Sequence, residues 1–290
     1  MLWLLGAALI GAVAAAGWAV YEFRKRKSIE KRLRNLLGSD DWESALRTLI
    51  HRFKQTEEST RAQQAFLAEV SHELKTPLNI LLGYLDTLSQ GAWRDEKVLL
   101  PFLEKSLAQV YRMNSLVQDI LLLAQIESGG WLIQVEATPL YGLLEEVWSE
   151  LEPLARRKNI SLRLPPLHLR DISVEADPFA LRKVFKNLLE NAIQYSSEGS
   201  VVTVAWELSS DKKRVKISIQ DEGIGIAQEH LPHIFERFYR VDKSRSRQSG
   251  GTGLGLSIVK ELLDAHGVSI SVQSQVGVGT TFTFALPVCA

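Results

Sequence analysis

Leucines that recur every seven residues are the feature that most restricts the fold of this chain. They stand at Leu67, Leu74, Leu81 and Leu88. A seven-residue apolar repeat is typical of helices that pack along a seam against other helices. A second segment, residues 99–127, carries apolar side chains at three- and four-residue steps. Two such helices in a hairpin leave apolar surface uncovered, so the pattern predicts a homodimeric four-helix bundle.

The pattern changes after Ser128-Gly129-Gly130, where short β-like runs alternate with helices. Strands are predicted near residues 132–137, 160–164, 172–175, 201–208, 214–220, 269–273 and 280–286. Helices are predicted near residues 140–158, 178–194 and 253–266. We therefore expect an α+β chain: a helical hairpin, followed by a sandwich in which helices cover one face of a mixed sheet.

The N-terminal segment predicts attachment to a membrane. Residues 2–20 contain no charged side chain, and the basic run 24–27 follows them. Roughly 20 apolar residues span a bilayer as a helix, and flanking basic residues stay on the cytoplasmic side. A cleaved signal peptide is the alternative, but its positive charge would precede the apolar run. We expect residues 1–23 to be a single-pass anchor in the inner or plasma membrane, with the N-terminus outside and no external sensor domain.

Charge and cysteine content exclude some classes of protein. The chain has 34 basic and 34 acidic residues, which gives no overall basic footprint for binding nucleic acid directly. Its single cysteine, Cys289, permits no intrachain disulfide.

The first candidate for chemistry is His72, within the run Ser71 to Pro77. If the leucine repeat faces the bundle core, His72 points outward, and an exposed imidazole with one free nitrogen is a nucleophile. Glu73 can orient the ring or take up its proton. Thr76 follows one turn later on the same general face, and Pro77 is expected to bend the helix. On spacing alone, a surface histidine beside an unrelated glutamate stays open as the alternative.

Three polar residues mark the predicted helix 178–194. Asn187, Glu190 and Asn191 lie at three- and four-residue steps and therefore share one face. Their oxygens suit a hard cation such as Mg²⁺. An ordinary polar helix face is the competing interpretation.

Two glycine-rich segments complete the set. Asp221 precedes Gly223 and Gly225 at the end of a predicted strand; glycines admit a flat ligand, and the acid can accept a hydrogen bond from an exocyclic amine. Residues 250–256 run into a helix, where backbone amides can hold phosphate. Arg237, Arg240 and Lys243 precede this segment and can meet phosphates, with solvated surface charge as the alternative.

The order and spacing of these motifs resemble the sensor histidine kinases of two-component systems over residues 61–287. The His72 segment resembles the phosphoacceptor box, residues 187–196 the N box and residues 221–226 the first glycine box. Residues 234–240 resemble the F box, and residues 251–256 the second glycine box. The short N-terminal part is similar to phosphate-regulon sensor kinases.

The resemblance implies a dimerisation and phosphotransfer domain at residues 61–128, after a helical linker at 24–60, and a Bergerat-type ATP-binding domain at 129–290. It implies a protein-histidine kinase: ATP phosphorylates His72, assisted by Glu73, and the phosphoryl group passes to an aspartate of a response regulator. Thr76 completes the Glu-x-x-Thr pattern linked to phosphatase activity towards that partner.

The resemblance also assigns the ligands. Asn191, helped by Asn187, would hold Mg²⁺, and Asp221 would read the adenine amine of ATP. The remaining nucleotide-binding positions that it implies are Tyr195, Gly223, Gly225, Ile226, Phe235, Arg240, Lys243, Gly251, Thr252, Gly253, Leu254, Gly255 and Leu256.

One position departs from the family pattern. Gln194 stands where the family often has Lys or Arg, which puts ATP affinity and the autokinase rate in question. Two rival classes are an ATPase machine of the gyrase or chaperone kind, which needs no phosphoacceptor helix, and a membrane-bound adaptor without catalysis, which needs no intact nucleotide motifs.

Overall fold

A computed structural model describes residues 42–128, 130–241 and 252–289 of the 290-residue chain, with side chains from residue 64 onward. The chain divides into two units, residues 1–68 and 69–290, and the site described below lies in the second. Within the described residues, no helix combines the length and apolarity needed to cross a bilayer. The apolar segment 2–20 and the basic run after it lie outside those residues.

The predicted helical hairpin is present. Helix α1 runs over Trp42–Ser89 and helix α2 over Glu96–Glu127, joined by a turn with a short 3-10 segment at Ala92–Arg94. The first helix is continuous through residue 60, so no break separates the predicted linker from the predicted hairpin. Asp95 caps the second helix, because its side chain accepts a hydrogen bond from the backbone N–H of Lys97 at 2.9 Å.

The α/β part follows the predicted alternation. Its helices are α3 (Leu140–Arg157), α4 (Pro178–Tyr195) and α5 (Gly255–Ala265), with a 3-10 segment at Leu167–Leu169. Its strands are β1 (Glu136–Pro139), β2 (Ser161–Arg163), β3 (Ser173–Ala176), β4 (Val201–Leu208), β5 (Arg214–Asp221), β6 (Ser271–Gln275) and β7 (Gly279–Pro287).

The strands form a five-stranded sheet in the order β2-β4-β5-β7-β6 and a two-stranded sheet of β1 with β3. The β2–β4 pair is parallel and the other pairs are antiparallel. Burial alternates along β4 and β5, as expected where helices cover one face of a sheet. Phe185 of α4 contacts Phe284 of β7 between the helices and the sheet, with ring centroids 6.4 Å apart.

One strand prediction is wrong at its start. Residues 132–135 were expected to be extended β-structure, but β1 begins at Glu136. Leu132 and Val135 are exposed, and Trp131 packs its ring on Phe179 instead. The apolar alternation there belongs to a segment that leads from the hairpin to the sheet.

Candidate functional site

His72 lies on the outer face of α1, with 65% of its side chain exposed. Its Nδ1 is 3.9 Å from Oε1 of Glu73. Thr76 donates its hydroxyl to the backbone carbonyl of His72 at 3.2 Å, and Pro77 is buried within the same helix. The imidazole is therefore open to an incoming reactant and has a carboxylate beside it.

Helix α4 carries the polar face predicted for it. Asn187, Glu190 and Asn191 are all partly buried. Nδ2 of Asn187 is buried without a hydrogen-bond partner. Burial raises the pKa of Glu190 above its ordinary value, and the positive charges of Lys186 and Lys183 oppose this rise. A buried polar face with an unpartnered amide is suited to receive a polar ligand.

The carboxylate of Asp221 lies at the end of β5, and the residue is 7% exposed. Its Oδ1 accepts hydrogen bonds from the backbone N–H of Gly223 at 2.9 Å and of Thr280 at 3.2 Å. Burial raises the pKa of Asp221, and these two hydrogen bonds oppose the rise. Because both hydrogen bonds end on Oδ1, Oδ2 remains able to accept a hydrogen bond from a ligand.

The end of α4 joins directly to the first glycine box. The carbonyl of Tyr195 accepts the backbone N–H of Ile224 at 3.2 Å, and Ser196 forms an antiparallel bridge with Gly223. A Cβ at Gly223 would lie 2.5 Å from the Tyr195 carbonyl oxygen, so only glycine fits. Burial raises the pKa of the Tyr195 hydroxyl, against the nearby charge of Arg240.

The other side of this loop rests on the end of β6, which leads into the turn to β7. Ile226 donates its backbone N–H to Oγ of Ser274 at 2.8 Å. Gly225 has φ +67°, and a Cβ there would lie 2.0 Å from the carbonyl oxygen of Gln275. The loop is therefore held on both sides, which fixes the direction of the Asp221 carboxylate.

The F box packs against the second glycine box. Phe238 donates its backbone N–H to the carbonyl of Gly253 at 2.9 Å, and a Cβ at Gly253 would lie 2.8 Å from the Phe238 Cα. Phe235 meets Phe282 edge to face, with ring centroids 6.3 Å apart.

The second glycine box then enters α5. Leu254 is buried and donates its backbone N–H to Oγ1 of Thr252 at 3.3 Å, while Leu256 is partly buried. A Cβ at Gly255 would lie 3.3 Å from Oδ1 of Asn187. The first turn of α5 and the polar face of α4 are thus neighbours.

Charged groups connect the F box to the hairpin. Nη1 of Arg240 lies 3.9 Å from Oε2 of Glu73, and Arg237 forms an ion pair with Glu127 at the end of α2. Burial lowers the pKa of Arg112, as does the charge of Arg240, whereas Glu73 raises it. Glu73 therefore lies among three cationic or potentially cationic side chains, one of which is His72.

The structure brings most of the predicted site residues into two groups, one around His72 and one between α4, α5 and the first glycine box. Lys243 and Gly251 lie outside the described residues. Sequence reasoning missed Thr280 and Ser274, whose contacts with the first glycine box are non-local, and Arg112, which carries no motif. Among the described residues, no group of three or more His, Cys, Asp or Glu side chains forms a metal cage.

Comparison with known proteins shows that each of the two groups of site residues lies in a segment that matches a known domain family. Residues 62–129 match the His Kinase A (phospho-acceptor) domain. Residues 176–290 match the family described as histidine kinase-, DNA gyrase B-, and HSP90-like ATPase.

Relatives that are similar over about four-fifths of this chain agree with this match. The chain is 36% identical over 239 residues to the sensor histidine kinase WalK of Bacillus subtilis, covering 82% of this chain and 39% of that one. It is 35% identical over 238 residues to the phosphate regulon sensor protein PhoR of Pseudomonas aeruginosa, covering 81% of this chain and 51% of that one. The chain thus spans about half or less of the length of these relatives.

A solved structure shares the fold at 28% identity. The full-length ShkA structure in complex with AMPPNP has a TM-score of 0.56 and covers 77% of this chain and 46% of that one. A phosphoacceptor domain followed by an ATPase domain, together with these relatives, shows that the chain belongs to the sensor histidine kinases of two-component systems.

Proposed function

We propose that this chain is a protein-histidine kinase that transfers the γ-phosphoryl group of ATP to His72 and then to an aspartate of a response regulator. One observation carries the proposal: Arg240 of the F box lies beside the part of helix α1 that carries His72. Nη1 of Arg240 is 3.9 Å from Glu73, whose other oxygen is 3.9 Å from Nδ1 of the exposed His72. A nucleotide beside Arg240 would therefore be close to the acceptor.

The purine would lie against the first glycine box. Oδ2 of Asp221 is free to accept a hydrogen bond from the exocyclic amine of adenine. The ring of Tyr195 is partly exposed beside this loop and offers an apolar surface for the purine. The phosphates would extend towards the N-terminus of α5, whose backbone amides favour anions, and towards Arg240.

Asn187 and Asn191 fit a role as Mg²⁺ ligands. Mg²⁺ is usually bound by one or two protein groups together with substrate phosphates, and a dedicated protein cage is unusual. The unpartnered Nδ2 of Asn187 is a hydrogen-bond donor, which suits a phosphate oxygen of the nucleotide, so the ligands of the ion would be the Oδ1 atoms of the two amides. The ion would neutralise charge that develops on the phosphates.

In the proposed transfer, the ring nitrogen of His72 that points away from Glu73 attacks the γ-phosphorus. A P–N bond forms, the P–O bond to ADP breaks, and ADP leaves with the electron pair. The proton on Nδ1 passes to Glu73. At 3.9 Å this distance is longer than a direct hydrogen bond, so a closer rotamer or one bridging water completes the path.

Phosphatase activity towards the response regulator is the finer part of the proposal. Thr76 lies one turn beyond His72, and its hydroxyl is engaged with the His72 carbonyl. Rotation about χ1 would release this hydroxyl to orient a water molecule on the partner's phosphoaspartate.

A homodimer and a membrane anchor complete the proposal. Large apolar side chains of the hairpin are exposed in the single chain, among them Leu67, Leu82, Leu107 and Leu121. A second hairpin would bury them in a four-helix bundle. The uncharged residues 2–20, followed by the basic run, support attachment to lipid through residues 2–23 in the inner or plasma membrane, with the catalytic part cytoplasmic.

The test is radiolabelling of the purified full chain with γ-labelled ATP. We expect a label that is stable in base and labile in acid, and that disappears in His72→Gln. His168→Gln is the matched control, since His168 is also exposed but lies outside the hairpin. ATP turnover without label would indicate an ATPase machine, and a failure to bind ATP would indicate an adaptor. Phosphotransfer profiling against the host's receiver domains then identifies the partner.

A further inference from the structure

The side chain of Lys158 connects two elements that the sequence keeps far apart. Lys158 follows the last residue of α3, and its Nζ donates to three backbone carbonyls at the end of α4. The acceptors are Ile193 at 3.0 Å, Gln194 at 2.5 Å and Ser196 at 3.3 Å. An ammonium group has three donors, so this arrangement uses its full capacity.

The position suits a cation. The last carbonyls of a helix have no partner within the helix and carry partial negative charge. Lys158 is partly buried, so this attraction is screened less than at the surface. The backbone carbonyl of Lys158 also accepts the N–H of Gly199 at 2.9 Å, which holds the next stretch of chain.

The segment held by Lys158 is the one that supports the first glycine box. Between the bonded carbonyls lies Tyr195, whose own carbonyl accepts the N–H of Ile224. Ser196 bridges Gly223, which in turn donates to the carboxylate of Asp221. A displacement of the α4 terminus would therefore move the carboxylate that faces the purine.

We propose that Lys158 is a positioning residue for purine recognition, acting through the end of α4 on Asp221. The inference rests on the proposed function, since it assumes that Asp221 reads the adenine amine. The proposal also bears on Gln194 at the end of α4, a position where the family often has a basic side chain. Here an ammonium group from another element contacts the backbone at that position.

The test measures nucleotide preference in the full chain. ADP presents an amine to Asp221, whereas inosine diphosphate presents a carbonyl oxygen at the same ring position. Competition against a fluorescent ADP analogue gives the dissociation constants of ADP and of inosine diphosphate, including the constant of a weakly bound ligand. Lys158→Met keeps the length of the side chain and removes its charge. Lys260→Met is the matched control, because Lys260 is exposed and contacts Asp264 within its own helix.

We expect Lys158→Met to weaken ADP binding roughly ten-fold, equivalent to ~1.4 kcal/mol, and inosine diphosphate binding by less than about two-fold. The preference for ADP then falls, while Lys260→Met leaves it unchanged. An unchanged ADP constant, or equal weakening of both ligands, would overturn the inference, since general loosening of the fold reduces both affinities alike.

If Lys158→Met does not fold, Lys158→Arg decides. A planar guanidinium keeps the charge but cannot place one nitrogen on three carbonyls, so the preference for ADP should fall about three-fold. An unchanged preference contradicts the inference. A wild-type chain that binds no ADP would overturn the proposed function as well, whereas a wild type that binds ADP with unaltered variants overturns the role of Lys158 alone.

Discussion

Replacing Asp221 by asparagine tests the nucleotide site with little change in shape. The Oδ1 of asparagine can still accept the backbone N–H groups of Gly223 and Thr280, which lie 2.9 and 3.2 Å from Oδ1 of the carboxylate. The other oxygen becomes an NH₂ group, which is only a donor. The adenine amine would then meet a donor where it had an acceptor.

The expected loss of affinity follows from that exchange. A hydrogen bond to a charged group contributes about 1.5–3 kcal/mol. Its loss predicts ADP binding that is about 10- to 150-fold weaker in Asp221→Asn.

The folding stability of Asp221→Asn should increase relative to wild type, although its affinity for ADP decreases. Burial raises the pKa of Asp221, so the folded chain binds this proton more tightly than the unfolded chain does. A carboxyl group with a raised pKa contributes stability below its unfolded pKa, and that contribution is lost as pH rises through the folded value. Asparagine does not ionise. The stability of Asp221→Asn relative to wild type should therefore increase as pH rises from about 4, the ordinary pKa of an aspartate, through the raised pKa of the folded chain.

Calorimetric titration with ADP and urea unfolding at several pH values measure both effects. Glu222→Gln is the control, since this neighbouring carboxylate accepts the backbone N–H of Val201 at an exposed position. We expect the control to change ADP affinity less than two-fold, given the small weight of exposed polar groups. Binding of ADP by Asp221→Asn within about three-fold of wild type would refute the assigned role of the carboxylate.

Two further predictions concern the framework of the site. Gly225→Ala should destabilise the chain by more than Gly267→Ala in urea unfolding. Both glycines have φ near +66°, but a Cβ at Gly225 would lie 2.0 Å from the Gln275 carbonyl oxygen, whereas one at Gly267 would meet nothing within 4 Å. We expect the free energy of unfolding to fall by about 1–2 kcal/mol in Gly267→Ala and by more in Gly225→Ala. Equal losses would contradict the steric argument. Lys183 of α4 and Asp119 of α2 form an ion pair at 2.8 Å, with 25% and 8% of their side chains exposed. A double-mutant cycle with Lys183→Gln and Asp119→Asn should therefore give a coupling of about 1–2 kcal/mol in the free energy of unfolding. A coupling near zero would show that the pair does not hold α4 against α2.

Much of the fold could be predicted because its signals are local. The bounds of β4 match the sequence prediction, and α3 and α4 each end within one residue of it. The strand β6 was placed two residues too early, because Ser269 and Ile270 follow the turn at Gly267 but do not pair with β7, and the pairing begins only at Ser271. Periodicity gives the type of an element more reliably than its first residue.

The site was predictable in part for the same reason. Helical spacing alone places Asn187, Glu190 and Asn191 on one face, and the structure shows them there. The amide of Thr280 that binds Asp221 comes from 59 residues further along the chain, and no periodicity connects the two. The contact of Arg240 with Glu73 is equally non-local, so its existence could not be derived from either motif.

The glycines of the first glycine box nevertheless explain why this motif could be recognised in the sequence. Where two stretches of backbone approach closely, a side chain is excluded, and the exclusion is recorded in the sequence. A Cβ at Gly225 would lie 2.0 Å from the Gln275 carbonyl oxygen, and one at Gly279 would lie 2.0 Å from that of Asp221. The spacing of glycines after Asp221 is therefore the local trace of a tertiary contact. The spacing shows that other backbone must lie close to these glycines, but only the folded chain shows that Gly223 meets the end of α4 and Gly225 the end of β6.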